Sequence, residues 1–144
     1  MWRCLTLLIM VCLSGCIGNQ QKFPNTITIV KMNLDAHGVE SADFPSIDVY
    51  IDFRNDSSKC SKSYYDTAFK PAVYKLSHEE IITILKLLQV TDLSRLKSKY
   101  ASESTDQPTS TTKIYDGERE YVIEDYGLVG EEPLQQIYKI VYKF

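Results

Sequence analysis

The chain has 144 residues, 16 lysines and arginines against 19 aspartates and glutamates, and a formal net charge of −3. This length suits one domain, and a mildly acidic chain excludes nucleic acid as an expected partner, since nucleic acid demands a basic patch. Hydrophobic residues make up 44% of the sequence and there are ten tyrosines, which is ample for a core.

The first residues have the anatomy of a bacterial export signal. Arg3 gives a small basic start, and residues 5–13 are almost entirely apolar. A membrane-spanning anchor would need about 20 apolar residues, and the polar residues 18–22 end the run before that. An ordinary secretory signal also fits the charge and length, but it needs no cysteine at this point.

The four residues that close this run, Leu13-Ser14-Gly15-Cys16, resemble the lipobox of bacterial lipoproteins. The resemblance implies a diacylglycerol thioether on the Cys16 sulfur and cleavage before Cys16, often with acylation of the freed amine. Residues 1–15 are then a signal peptide, residues 16–25 a lipidated cysteine with its tether, and residues 26–144 one domain. Because two or more acyl chains anchor a protein stably, the membrane is an expected partner.

Loss of residues 1–15 leaves 15 lysines and arginines against 19 acids, a formal charge of −4. The lipid, and not basic side chains, would therefore hold the membrane. Cys60 would be the remaining free cysteine, which rules out an intramolecular disulfide. The polar residues 55–63 around Cys60 predict an incidental loop thiol, and the alternative is a thiol whose pKa the neighbouring lysines lower.

Three strands are predicted in the first half of the domain. Residues 26–30 are β-branched, residues 47–53 alternate apolar and polar side chains, and residues 72–76 resemble a further strand. Residues 35–43 are expected to form a loop with a turn at His37-Gly38, and the polar residues 54–70 are expected to be irregular.

Two helices are predicted next. Ser77 and Glu80 have the spacing of a capping box, and one apolar face follows at helical spacing. That face contains Ile81, Ile84, Leu85 and Leu88. A shorter helix should restart at Thr91-Asp92, with Leu93, Leu96 and Tyr100 on its inner side.

A hairpin is predicted around Asp116-Gly117, which has the composition of a two-residue turn. That turn would pair Tyr115 with Glu118 and Ile114 with Arg119. It would also pair Lys113 with Glu120 and Thr112 with Tyr121. Ile114, Tyr121 and Ile123 would then share the core face.

The chain should end in a helix. Residues 131–133 place a proline at its first turn, and Leu134, Ile137, Tyr138 and Val141 form its apolar stripe. Residues 141–144 are β-prone, so a final strand is the alternative. The fold class expected from this order is α+β, with an antiparallel sheet, a helical pair inserted between strands and a C-terminal helix.

The stretch from Phe44 to the C-terminus resembles a family of small uncharacterised domains in lipoproteins of Gram-negative bacteria. The matching pieces are Phe44-Pro45, residues 76–80, residues 105–109 and Asp125-Tyr126-Gly127, in that order. Many members carry a cysteine before the proline, where this chain has Phe44, so a metal or redox role does not transfer. The resemblance implies a fold and no activity.

Three residues are candidates for binding: Asp106, Asp125 and Tyr126. Each has a structural alternative, since Asp106-x-Pro108 fits an Asx-type turn and Gly127 suits a positive φ after the hairpin. Asp66-Thr67-Ala68 resembles a three-residue O-glycosylation pattern of Gram-negative envelope proteins, which makes Thr67 a possible modification site.

The sequence favours no catalytic residue, metal or cofactor. Its two histidines, His37 and His78, have no zinc-ligand spacing, and nucleophile-elbow and phosphate-loop motifs are missing. We therefore expect a non-enzymatic, membrane-tethered binding or interaction module with an envelope protein as partner. The alternatives are an inhibitor or immunity-type lipoprotein that uses acidic loops and, less favoured, a carboxylate-based hydrolase.

The residue after Cys16 indicates a location within the envelope. It is Ile17, and not the aspartate that retains some lipoproteins in the inner membrane. In a Gram-negative cell we therefore expect an outer-membrane lipoprotein that faces the periplasm. A Gram-positive surface lipoprotein is the alternative.

Overall fold

The computed structural model describes residues 26–143, and the predicted signal peptide, lipidated Cys16 and tether lie outside them. The described residues form a sheet of seven strands with two α-helices. The strands are β1 (Ile27–Asp35), β2 (Ser46–Asp52), β3 (Ser57–Ser63), β4 (Ala72–Tyr74), β5 (Lys99–Ala101), β6 (Thr109–Asp116) and β7 (Arg119–Tyr126). The helices are α1 (His78–Val90) and α2 (Glu132–Tyr142).

The sheet is mixed, which corrects the expectation of a purely antiparallel one. The strand order is β4-β3-β2-β1-β6-β7-β5, and the β5–β7 pair is parallel whereas the other pairs are antiparallel. β7 lies between β5 and β6. Strands β6 and β7 form a hairpin, so they run in opposite directions. β5 runs opposite to β6 and therefore parallel to β7. The α+β class is confirmed.

The prediction of an irregular segment at residues 54–70 is wrong, because β3 occupies Ser57–Ser63. This strand has the sequence SSKCSKS, in which Ser58 and Cys60 are the buried residues, so it has almost no apolar periodicity. Pairing with β2 and β4 overrides that weak intrinsic preference. Cys60 is therefore a buried strand residue and not a loop thiol, and burial raises the pKa of its thiol.

The capping box at the start of α1 is confirmed. The Ser77 Oγ accepts the Glu80 amide at 3.2 Å, and the Glu80 carboxylate accepts the Ser77 amide at 2.7 Å. Of the predicted apolar face, Ile81, Ile84 and Leu88 are buried and Leu85 is half-buried. The shorter helix is a single 3-10 turn at Leu93–Arg95, and Tyr100 lies in β5 instead.

The C-terminal helix is confirmed as α2, and Leu134, Ile137, Tyr138 and Val141 are all buried as predicted. The helix runs through Tyr142, so the strand alternative for this end is wrong. Two contacts attach α2 to the sheet: the Tyr74 hydroxyl donates to the Val141 carbonyl, and Ser110 Oγ lies 2.6 Å from the Tyr142 hydroxyl. The core therefore lies between the two helices and one face of the sheet.

The hairpin exists, but its predicted register is wrong. The two-residue turn is Gly117-Glu118, so Ile114 pairs with Tyr121 and Thr112 with Ile123. Gly117 has a φ of +61° and Glu118 does not have a positive φ, which is typical of a type II′ turn. Moving the turn by one residue changes each strand partner by two, which preserves the faces.

The core face predicted for the hairpin is therefore correct despite the wrong register. Ile114 and Ile123 are buried, and Tyr121 is partly buried against them. β1 is longer than predicted and runs to Asp35, whereas the strand expected at residues 72–76 ends at Tyr74. The turn at His37-Gly38 has the positive φ, +92° at Gly38, that a tight turn requires.

Candidate functional site

The helices cover one face of the sheet, and the opposite face carries a broad, shallow groove of about 470 Å³. We call this surface the open face. Its outward side chains come from alternate positions of four neighbouring strands. They are Lys31 and Asn33 of β1, Asp48 and Tyr50 of β2, Lys59 and Ser61 of β3, and Thr111, Lys113 and Tyr115 of β6.

Strand register places three lysines of the open face in one row across the sheet. Lys59 pairs with Tyr50, Tyr50 with Lys31, and Lys31 with Lys113. We call these four residues the central row. Val122 of β7 pairs with Lys113 and continues the row beyond the groove, with 45% of its surface exposed.

Lys31 lies at the centre of this row between two aromatic rings. Its Nζ is 5.3 Å from the Tyr115 ring centroid and 6.0 Å from that of Tyr50. A cation near the faces of two tyrosine rings gains a modest electrostatic attraction. The rings thus hold the Lys31 ammonium in place at the surface.

The lysines of the central row are poorly neutralised. Lys113 lies 3.7 Å from Glu120, a diagonal neighbour and not the direct partner that the predicted register gave. Lys31 and Lys59 have no ion pair with any of residues 26–143. Asp48, the acidic residue that lines the groove, accepts a hydrogen bond from the Asn33 amide at 2.9 Å. The groove is therefore a cationic surface on an acidic chain.

Asp125, one of the predicted binding residues, faces the core and is fully buried. Its carboxylate accepts the backbone N–H groups of Val129 at 2.9 Å and Gly130 at 2.8 Å. A Cβ added at Gly130 would lie 2.7 Å from the Asp125 carboxylate. Asp125 therefore fixes the loop between β7 and α2, and it is not available to a ligand from solvent.

Tyr126 and Asp106 lie in one neighbourhood on the other side of β7, away from Asp125. The Tyr126 hydroxyl accepts the Gln107 amide at 3.2 Å, and the Gly127 amide donates to the Pro108 carbonyl at 2.8 Å. Asp106 is exposed and has a φ of +59°, and Gly127 has a φ of +84°. The positive φ expected at Gly127 is confirmed, and Pro108 directly precedes β6. The Asx-type turn expected at Asp106 is wrong, because Pro108 has no N–H to donate and the Asp106 carboxylate accepts the Thr105 hydroxyl at 2.9 Å instead.

Thr67 is exposed in the loop between β3 and β4, where a modifying enzyme would find it accessible. The loop is ordered by Asp66, whose carboxylate accepts the Ala68 amide at 2.8 Å. Its use as a glycosylation site stays a prediction. Cys16 lies outside the described residues, so its lipidation also stays a prediction.

Two further charged pairs lie at the end of the sheet where β1 begins. The Arg54 guanidinium donates two hydrogen bonds, both 2.9 Å long, to the Asp52 carboxylate, and it holds the pKa of that carboxyl well below its usual range. His78, at the start of α1, lies 2.6 Å from Asp56. Both pairs fix the turn between β2 and β3.

The central row was not predicted as a site from the sequence. The available signal was the period-2 alternation of β2 and the hairpin, which places Tyr50 and Lys113 outward. Lys59 carried no such signal because β3 was not predicted. Lys31 lay beyond the predicted end of β1. A row across a sheet depends on strand order, and strand order was not predicted.

Comparisons with known proteins identify a family and no function. A family model described as "Domain of unknown function (DUF6438)" matches residues 71–144. The match contains Lys113 and Tyr115 of the groove, whereas Lys31, Tyr50 and Lys59 precede it. No curated protein and no solved structure matches the chain.

The matched residues are not contiguous in the sheet. They contain β4 at one edge and β6, β7 and β5 at the other, with β1–β3 between them. Strands β1–β3 are therefore needed to complete this sheet. Within residues 26–143, no helix is both long and apolar enough to cross a membrane, and no three His, Cys, Asp or Glu side chains are grouped as a metal would need.

Proposed function

Because the chain belongs to the DUF6438 family, a domain of unknown function, we propose its role from its own residues. It is a lipid-anchored, non-enzymatic binding module of the cell envelope, and it contacts a protein partner through the open face of its sheet. The anchor localises the domain, and the open face supplies the contact surface.

The anchor part of the proposal is supported by the N-terminal pattern. Leu13-Ser14-Gly15-Cys16 ends an apolar run that is too short to span a bilayer. Ile17, which follows the cysteine, favours the outer membrane facing the periplasm in a Gram-negative cell. The nine residues 17–25 that follow the lipidated cysteine would reach about 30 Å at most when extended, so the domain works close to the membrane.

The observation that carries the binding role is the central row. Lys31 and Lys113 are direct partners across two strands, and like charges in that arrangement cost stability. The groove beside them is about 470 Å³ and includes two tyrosines, residues that suit protein contacts because one end is apolar and the other polar. A surface of this kind is better explained by a partner than by the fold.

The alternatives have less support from the described residues. The buried carboxylates of Asp52 and Asp125 are engaged in hydrogen bonds that fix loops, so we assign neither of them a hydrolytic role. The inhibitor alternative depended on acidic loops, whereas the groove is lined by lysines.

The proposal is tested by purifying the tagged full chain from its native membranes in a neutral detergent. Mass spectrometry should find a mature chain that begins at Cys16 with lipid attached, and Cys16→Ser should abolish the lipid. A partner that co-purifies with the parent should be lost in a Lys31→Gln, Lys59→Gln double variant.

The matched control is a Lys86→Gln, Lys139→Gln double variant. Both lysines are exposed on the helices and have no ion pair within residues 26–143. The control changes the charge equally and should keep the partner. An unlipidated Cys16, or a partner that the Lys31, Lys59 variant retains, would contradict the proposal.

A further inference from the structure

We propose that the open face binds an acidic polypeptide segment, whose side-chain carboxylates meet Lys31, Lys59 and Lys113. This inference rests on the proposed function and names the chemistry of the partner. Its basis is charge complementarity between the central row and a run of carboxylates.

The charges of the groove call for an anionic partner. Two lysines of the central row, Lys31 and Lys59, form no ion pair with a carboxylate among residues 26–143. Asp48 forms no ion pair with any of the three lysines, and its carboxylate accepts a hydrogen bond from the Asn33 amide at 2.9 Å. In a chain with a net charge of −3, this is a local excess of positive charge.

The spacing of the lysines favours a chain of charges over a single compact anion. Lys59 and Lys31 lie two strands apart, about 10 Å, and Lys31 and Lys113 one strand apart, about 5 Å. An extended peptide presents alternate side chains about 7 Å apart, which flexible lysine side chains can follow. A single phosphate prefers donors that converge on one point.

The tyrosines give the site shape and a second kind of contact. Tyr50 and Tyr115 flank the Lys31 ammonium at 6.0 and 5.3 Å from their ring centroids. Their rings offer apolar area and their hydroxyls offer donors to a carboxylate. A peptide can use both, because its backbone and methylene groups lie between its charges.

The position of the row favours a protein partner over lipid headgroups. Lys31 lies five positions after Thr26, roughly 17 Å along β1 from the end where the tether would enter. Asp116, Glu118 and Arg119 lie at that end, in the β6–β7 hairpin. This hairpin has two acidic residues and one basic residue, whereas the three lysines of the central row lie in the middle of the sheet, away from the end where the tether would enter.

The test uses the full chain in neutral detergent and a fluorescent peptide of ten glutamates. Fluorescence anisotropy should show binding that weakens as salt is raised. The Lys31→Gln, Lys59→Gln variant should bind about tenfold more weakly, as expected for two lost exposed charge pairs. The Lys86→Gln, Lys139→Gln control should bind as the parent does. Parallel titrations use phosphatidylglycerol vesicles and inorganic phosphate.

The outcomes separate this inference from the proposed function. Peptide binding that is equal in the parent and the Lys31, Lys59 variant overturns the acidic-segment assignment, and so does binding to vesicles or phosphate in place of the peptide. In either case, loss of the co-purifying partner from that variant would still support the open face. Retention of that partner by the variant would overturn the proposed function itself.

Discussion

Lys31 lies directly opposite Lys113 across the β1–β6 ladder. Two ammonium groups that lie opposite each other on paired strands repel each other. Glu120 lies 3.7 Å from Lys113 and partly neutralises it, but it forms no ion pair with Lys31. The rings of Tyr50 and Tyr115 partly compensate Lys31. The fold does not require a positive charge at position 31, because a neutral residue would fit the sheet equally well. The lysine is therefore better explained by a binding surface.

The first prediction follows from that balance. Lys31→Gln removes the repulsion and also the contact with the two rings, terms that are similar in size and opposite in sign. The free energy of unfolding should therefore change by no more than about 0.5 kcal/mol. Urea denaturation with equal slopes measures it. A loss above about 1.5 kcal/mol would make Lys31 a structural residue.

A second prediction separates the two aspartates proposed from sequence. Asp125→Asn should destabilise the protein by about 1–3 kcal/mol, because the new amide cannot accept both backbone N–H groups that the carboxylate accepts. Asp106→Asn should cost less than about 0.5 kcal/mol, because Asp106 is exposed and asparagine tolerates its positive φ. Equal denaturant midpoints for the two variants would contradict the structural role of Asp125.

The third prediction concerns the hairpin turn. Gly117→Val should cost about 1–3 kcal/mol, since a β-branched residue is strained at a φ of +61°. Glu118→Ala should be nearly neutral because Glu118 has an ordinary φ. A type I′ turn, with positive φ at two central residues, would instead be stabilised by Glu118→Gly. Thermal midpoints of the three variants distinguish the two turn types.

The fourth prediction concerns acid stability. The Ser77 amide and the Lys143 ammonium, 3.1 Å away, hold the pKa of Glu80 below its ordinary value of 4.5. A carboxyl with a lowered pKa in the folded state stabilises the fold above its unfolded pKa, and this stabilisation is lost as the pH falls. Glu80→Gln should therefore be less stable than the parent by about 1 kcal/mol at pH 7.

The difference between Glu80→Gln and the parent should shrink as the pH falls below about 4.5. Glu79→Gln is the control, because Glu79 lies in the same helical turn and its carboxylate has no ion pair with any of residues 26–143. Denaturant midpoints measured between pH 7 and pH 2.5 give the comparison. A constant difference over that range would show that the Glu80 carboxylate is not the titrating group.

The parts of the fold that were predictable are those with a strong local signal. The capping box of Ser77 and Glu80 and the apolar stripe of α2 are fixed by residues within a few positions of each other. β3 was missed because SSKCSKS has little intrinsic strand preference and depends on its neighbours for pairing. The parallel β5 was missed because a three-residue strand at a sheet edge has no periodicity to detect.

The candidate site was less predictable than the fold. Asp125 was predicted as a binding candidate, whereas its buried carboxylate accepts the Val129 and Gly130 amides and fixes the loop between β7 and α2. The central row joins residues 31, 50, 59 and 113, which are distant in sequence and become neighbours only through the order of β3, β2, β1 and β6. Local sequence patterns do not specify that order.

The central claim is that the open face touches a partner in the envelope, and crosslinking in intact cells tests it most directly. A photoreactive amino acid is placed at Tyr50 or Val122 of the open face, which are 38% and 45% exposed, and at Val90 of α1, which is 84% exposed. We predict one discrete adduct from each open-face position and none from Val90, although Val90 is the most exposed of the three positions. Adducts from Val90 with none from Tyr50 or Val122 would contradict the account.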